Sequence, residues 1–187
     1  RGGICDAVCA GGARGKITVR QAVRCVRRGM SGWNMVKINI IAVGRLKEKF
    51  FAEAMAEYAK RLSAYCSFSV TEIPPAPPSK APAEQSAAET DALLLKAAGC
   101  VVALDGRGKK MSSETFARFI ADKCSGGASE FSFLVGGSHG LDEKALKRAD
   151  AVVSFGEMTF PHQLFRVMLA EQIYRAFTIN AGTPYHK

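Results

Sequence analysis

Phe131-Ser132-Phe133-Leu134-Val135-Gly136-Gly137-Ser138-His139-Gly140 is answered further along the chain by Ser154-Phe155-Gly156-Glu157-Met158-Thr159-Phe160-Pro161-His162. Each stretch reads as an apolar strand, a glycine-bearing loop and the start of a helix. In α/β proteins, ligands bind where such loops leave buried strands, because backbone N–H and C=O groups converge there without ladder partners. Glycine in the first loop permits φ > 0 and lets a ligand approach the backbone closely. On these residues the pair marks a small-molecule site, although the Gly-Gly loop alone fits a plain turn equally well.

Outward from this pair the same alternation repeats. Residues 37–43 form a near-continuous apolar run, the pattern of a strand buried on both faces. Over residues 48–65, Phe51, Met55, Tyr58 and Leu62 share one helical face and Glu53, Glu57 and Arg61 another. Phe68 to Ile73 is a second strand. Residues 83–98 form a helix with Gly99 as its C′ residue, and residues 100–104 a third strand. Ser112 is a suitable N-cap for a helix to Cys124, which Gly126-Gly127 ends. Asp142 caps a short helix to Arg148, and Ala151 to Phe155 is the fifth strand. The last helix starts with Pro161 at its first position and runs to Phe177. The predicted fold class is therefore α/β, a mostly parallel sheet with helices on both faces. Leu164, Phe165, Val167, Met168, Leu169, Ala170, Ile173, Tyr174 and Phe177 make the last helix apolar nearly all round. Such a helix is covered on more than one side, so a second subunit and a homodimer are expected.

The formal charge of +9 is unevenly spread over the 187 residues. Residues 1–34 hold seven basic residues and one acid, leaving only +3 for residues 35–187. They are Gly- and Arg-rich, carry three of the six cysteines, and show no sustained period. They are expected to be a non-native or disordered extension outside a domain at 35–187. A basic RNA-contacting tail or a transit peptide is the alternative. Cys5, Cys9 and Cys25 lack the fourth ligand of a zinc knuckle, and the three histidines have no ligand spacing, so no metal is expected. No apolar run reaches the ~18 residues of a membrane helix, so no membrane partner is expected either. Cys66, Cys100 and Cys124 read as reduced, buried thiols of a cytoplasmic protein. Five of the seven prolines fall in residues 74–82, which makes that segment an extended surface connection or a flap that orders on RNA. Asp105-Gly106-Arg107-Gly108-Lys109-Lys110 fails the phosphate-loop spacing but is a basic loop within reach of RNA phosphates.

The two loops do not stand alone. Together with Arg166-Val167, Glu171-Gln172, Tyr174-Arg175-Ala176 and the terminal Pro184-Tyr185-His186-Lys187, they resemble the small SPOUT-class methyltransferases of bacterial large-subunit rRNA. The resemblance spans residues 35–187. It implies a SPOUT fold, whose C-terminal part is threaded as a trefoil knot, a feature that periodicity does not reveal. It implies methylation of N3 of a pseudouridine in 23S rRNA, with S-adenosylmethionine held by Leu104, Gly136 and the run Phe155, Gly156, Glu157, Met158, Thr159 and Phe160. It further implies a homodimer acting on the assembled ribosome, with catalytic roles for His186, Arg175 and Tyr185. Methyl transfer to a ring nitrogen needs a base for the N3 proton, and His186, His162 and Glu157 are the candidates. Arg175 is equally placed to pair with Glu171 at i,i+4, and Tyr185 is suited to stack on a base. A SPOUT enzyme acting on tRNA and a non-catalytic RNA-binding dimer are the alternatives.

Overall fold

A computed structural model describes residues 36–77 and 81–185. Five strands alternate with five helices: β1 (Lys37–Val43), α1 (Lys49–Leu62), β2 (Ser67–Ile73), α2 (Pro82–Lys96), β3 (Cys100–Lys110), α3 (Ser113–Ser125), β4 (Glu130–Val135), α4 (Glu143–Arg148), β5 (Ala151–Ser154) and α5 (His162–Ala181). The sheet order is β2-β1-β4-β3-β5, and every pairing is parallel. The expected parallel α/β sheet is thus observed.

Apolar runs in the strands follow from burial on both faces. Ile38, Ile40, Phe131 and Phe133 pack with residues of α1, α3 and α5, including Leu62, Phe116 and Phe177. Ile41, Val43, Val101 and Leu134 meet Leu93 of α2 and Ala145 of α4 on the other side. Helix α3 begins as its sequence predicts, with the Ser112 hydroxyl oxygen accepting from Thr115 N at 3.2 Å.

Several boundaries differ from the sequence reading: the first helix spans Lys49–Leu62 rather than 48–65, and β5 stops at Ser154, one residue before Phe155. Helix α2 stops at Lys96 with Ala97 as its C-cap, so Gly99 is not the residue that ends it. Gly99 sits at φ 67°, and a Cβ there would overlap the carbonyl of Glu130; the approach of β4 requires the glycine. Strand β3 does not end at Leu104. Residues 105–108 leave the ladder, and Lys109 and Lys110 return to pair with Val153 and Ser154. Gly108 allows this: a Cβ on it would lie 2.7 Å from the backbone of Val152 and Val153. Finally, Pro161 is the N-cap of α5, a one-residue difference of the usual size, and the helix runs past Phe177 to Ala181. Thr178 returns its hydroxyl to Arg175 O at 2.8 Å, and Asn180 donates to Ala117 O at 2.9 Å, which holds the extra turn. Gly182 at φ 65° then closes the helix in the left-handed conformation. Helix α5 packs against α1 and α3, and none of its twenty residues is exposed.

Candidate active site

Strand register assembles the first half of the site. Leu104 lies opposite Val135 of β4 and Val153 of β5. Gly136 is the next residue after Val135, and Phe155 is two beyond Val153. Register therefore sets Leu104, just before β3 leaves its ladder, beside the exits of β4 at Gly136 and of β5 at Phe155, and Gly156, Glu157, Met158, Thr159 and Phe160 continue from there. Leu104 is buried and offers an apolar wall. Residues 155–161 lie outside any helix or strand, so their backbone groups have no ladder partners. Ser154 shapes the start of this run: its hydroxyl donates to Gly156 O at 3.0 Å and accepts from Gly156 N at 3.2 Å. The Phe155 and Phe160 rings both rest on Phe165 of α5, at centroid distances of 5.0 and 6.3 Å. Glu157 forms an ion pair with Lys110, and Met158 stands out exposed.

The glycine loop is braced from α2. Ser86, Glu89 and Thr90 are buried polar residues on one helical stripe. Ser86 donates to Gly140 O at 3.3 Å, and Thr90 accepts from Asp142 N at 3.1 Å. Glu89 Oε1 accepts from Ala76 N at 3.1 Å and Gln85 Nε2 at 3.2 Å, while its other oxygen faces Gly137, where a Cβ would collide with it. A Cβ on Gly136 would in turn fall 2.5 Å from the Gly140 carbonyl. Gly136 needs glycine because the loop folds tightly on its own backbone, whereas at Gly137 the clash is with the Glu89 carboxylate alone.

His162 and Arg166 hold the loop from α5. His162 Nε2 lies 2.6 Å from Gly136 O. A carbonyl only accepts, so Nε2 carries the proton. Nδ1 then accepts from Arg166 at 3.1 Å. Burial, then the neighbouring guanidinium, pushes the His162 pKa down. Neutral and engaged at both nitrogens, His162 is not free to take a proton from a substrate in this arrangement, although its residue type suggested that role. Arg166 is fully buried. It donates to Val43 O, to Gly44 O at 2.9 Å and to Glu72 at 3.4 Å. In the sequence it is a cation inside an apolar helix, four residues after a histidine, and part of the Arg166-Val167 pair that carries the resemblance.

The second half of the site lies along α5. Arg175 bonds Glu171 through two nitrogens at 2.6 and 2.9 Å, the pairing that the i,i+4 spacing suggested. Its guanidinium lies over the Tyr185 ring, 5.0 Å from the centroid. Tyr185 donates to Glu171 at 3.4 Å and packs against Tyr174 at 4.9 Å. His186 lies outside the described residues. Arg175 is thirteen residues beyond His162 on α5, about 20 Å at the helical rise. A cleft of about 350 Å³ runs between the two halves, with Phe155 and Ser154 at one side and Met168, Glu171 and Gln172 at the other. Neither Arg175 nor Tyr185 lines it. The basic segment 105–110, which is the second part of β3 rather than a loop after it, is partly committed within the chain: Arg107 pairs with Asp105 at 2.8 Å and Glu143 at 2.7 Å. Among the described residues no three His, Cys, Asp or Glu side chains gather as a metal site, and no helix is long and apolar enough to cross a membrane.

The family model described as "Predicted SPOUT methyltransferase" matches residues 36–186. The chain belongs to the SPOUT methyltransferase family. This SPOUT chain is 48% identical over 162 residues to a protein of Levilactobacillus brevis named ribosomal RNA large subunit methyltransferase H. It is 49% identical over 162 residues to the protein of that name in Limosilactobacillus reuteri, and 48% over 159 residues to the one in Carboxydothermus hydrogenoformans. Each match covers 81% of the SPOUT chain and the whole of the relative. Among solved structures, the SpoU methyltransferase AviRb of Streptomyces viridochromogenes, in complex with AdoMet, aligns with a TM-score of 0.44 and 12% identity, over 81% of this chain and 61% of that one.

Proposed function

We propose that this chain methylates N3 of a pseudouridine in 23S rRNA of the assembled ribosome, using S-adenosylmethionine and acting as a homodimer in the cytoplasm. One observation carries the reading: near-half identity over the full length of relatives named as large-subunit rRNA methyltransferases. The residues gathered at the sheet end fit the cofactor. Leu104 and Phe155 present apolar walls for an adenine, and the unladdered backbone of residues 156–160 offers N–H and C=O groups to its polar edge. When bound, the cofactor supplies an electrophilic methyl group on a sulfonium.

The protein's part is positioning and proton transfer. Arg175 and Tyr185 hold the target base, Tyr185 through its ring and Arg175 through the carbonyls or a phosphate. Formation of the N3–carbon bond, with cleavage of the methyl–sulfur bond to leave a neutral thioether, would release the N3 proton to a base, which we assign to His186. His162 is engaged at both nitrogens, and Glu157 is paired with Lys110. Separation of the two halves along α5 supports a dimer in which one copy's tail serves the other copy's cofactor loops. We further infer, on the strength of the family match alone, that the C-terminal segment is threaded as a trefoil knot. Residues 35–187 suffice for activity on this reading.

The test is transfer of labelled methyl from S-adenosylmethionine to ribosomes, free 23S rRNA and tRNA, with mass spectrometry locating the product. Methyl-pseudouridine formed on ribosomes supports the proposal. A labelled tRNA, or no transfer at all, refutes it. Arg175→Ala and His186→Ala are expected to lower turnover and spare cofactor binding, measured by calorimetry.

A further inference from the structure

The C-terminal ends of β1, β2 and β4 converge on one side chain pair. Arg166 donates to the last carbonyl of β1 at Val43, to Gly44 O at 2.9 Å and to Glu72 of β2 at 3.4 Å. It also donates to His162, which passes a hydrogen bond of 2.6 Å to Gly136 O at the end of β4. The order of donors is forced. A guanidinium has no acceptor and a carbonyl has no donor, so only a neutral imidazole with its proton on Nε2 bridges them. Gly44 sits at φ 80°, beyond the β1 ladder, where its carbonyl reaches the guanidinium.

We propose that His162 and Arg166 are positioning residues that fix the Gly136 loop against β1 and thereby set the cofactor's affinity. The proposal rests on the reading that Gly136 borders the cofactor. Among the described residues, His162 is the side chain that ties the Gly136 carbonyl to the body of the sheet. The brace from α2 acts further along the loop, at Gly140 and Asp142. Loss of the imidazole therefore releases the part of the loop nearest Leu104 and Phe155, and leaves its distal part held. A carboxamide carries one donor and one acceptor on a single plane, so glutamine reproduces the bridge in outline. Leucine fills similar space and reproduces neither bond. Lysine at position 166 keeps the charge but is a single point donor that cannot reach all four acceptors.

The experiment uses the full chain, ribosomes as substrate and S-adenosylmethionine as the varied ligand. His162→Leu is expected to raise KM for S-adenosylmethionine about tenfold, the scale of one net hydrogen bond, with kcat within about twofold. His162→Gln is expected to restore most of the affinity, and Arg166→Lys to weaken it. If His162→Leu does not fold, the contrast between His162→Gln and Arg166→Lys carries the same test. An unchanged KM in His162→Leu and Arg166→Lys overturns the proposal, as does a fall in kcat at constant KM, which would mark His162 as a group acting on the reacting atoms. Nitrogen-15 NMR of the wild-type imidazole gives a readout independent of turnover: the Nε2–H tautomer near neutral pH supports the bridge, and an imidazolium or the Nδ1–H tautomer overturns it. Wild-type protein that fails to bind S-adenosylmethionine yet shows the Nε2–H tautomer refutes the cofactor reading while leaving the bridge itself standing.

Discussion

Gly108→Ala is a sharp test of how closely β5 passes β3. The added methyl would lie 2.7 Å from the carbonyl carbons of Val152 and Val153 and from Val153 N, whereas ordinary contact begins at 3.4 Å. The overlap is therefore about 0.7 Å against three atoms at once. All three belong to the backbone of a strand hydrogen-bonded to β3, so no side-chain rotation relieves it. Overpacking costs about 1–3 kcal/mol, and an unyielding neighbour puts this case near ~3 kcal/mol. For a domain of this size that lowers Tm by roughly 6–12 °C. Gly106→Ala is the matched control, because nothing lies within 4 Å of its Cβ; it is expected to be neutral or stabilising by up to ~1 kcal/mol. Equilibrium unfolding in urea, followed by circular dichroism, compares the midpoints of the three proteins. β5 leads directly into Phe155 and Gly156, so Gly108→Ala should also weaken S-adenosylmethionine binding by calorimetry. Coincident midpoints for wild type and Gly108→Ala, or equal losses for Gly106→Ala and Gly108→Ala, would refute the reasoning.

Three further outcomes are expected. Ser112→Ala removes the acceptor of the Thr115 N–H bond and should cost about 1 kcal/mol, read from the same urea midpoints; no change would mean the cap contributes nothing. Burial pushes the Cys66 thiol up to about 12 and Cys124 to about 11, so both should resist alkylation in native protein and react after unfolding, as peptide mapping will show. Burial, then the Arg166 guanidinium, holds the folded pKa of His162 below its ordinary 6.5, against the Gly136 carbonyl and Glu89, which favour the proton. The unfolded chain then binds a proton that the folded chain refuses, so stability should fall as pH drops from 6.5 toward the folded value. His162→Gln should flatten that part of the profile, and an identical slope in the variant would remove the assignment.

Much of the architecture was legible because strand and helix burial write different periods. The apolar run at residues 37–43 and the alternation of elements point to a parallel α/β sheet, which is what forms. Sheet order is another matter: β1 pairs with β4 rather than β3, and no local period encodes which strands cross over. Residues 105–110 read as a loop because glycine and lysine dominate them, whereas the ladder resumes at Lys109 through the shape of Gly108 alone. The last turn of α5 was hidden by β-branched Thr178 and Ile179, which the tertiary bonds of Asn180 override. The loops holding Leu104, Gly136 and Phe155 were visible through a family resemblance. Their supports were not. Ser86, Glu89 and Thr90 look like ordinary solvated positions of a helix, and nothing local to Arg166 shows what its guanidinium bonds, since the partners of all four come from loops and strand ends far away in the chain.

The bond from Arg166 to the Gly44 carbonyl joins residues 122 positions apart. At ribosomal synthesis rates of ~5–20 residues per second, the chain makes the acceptor roughly 6–24 s before the donor exists. During that interval the carbonyls at the end of β1 must remain hydrated, because a buried unpaired carbonyl is costly. The C-terminal end of β1 therefore becomes dry only after α5 has been made. Order of synthesis thus makes α5 a late keystone: its arrival completes the core beside Ile38 and Phe131 and seals the end of β1 in the same step.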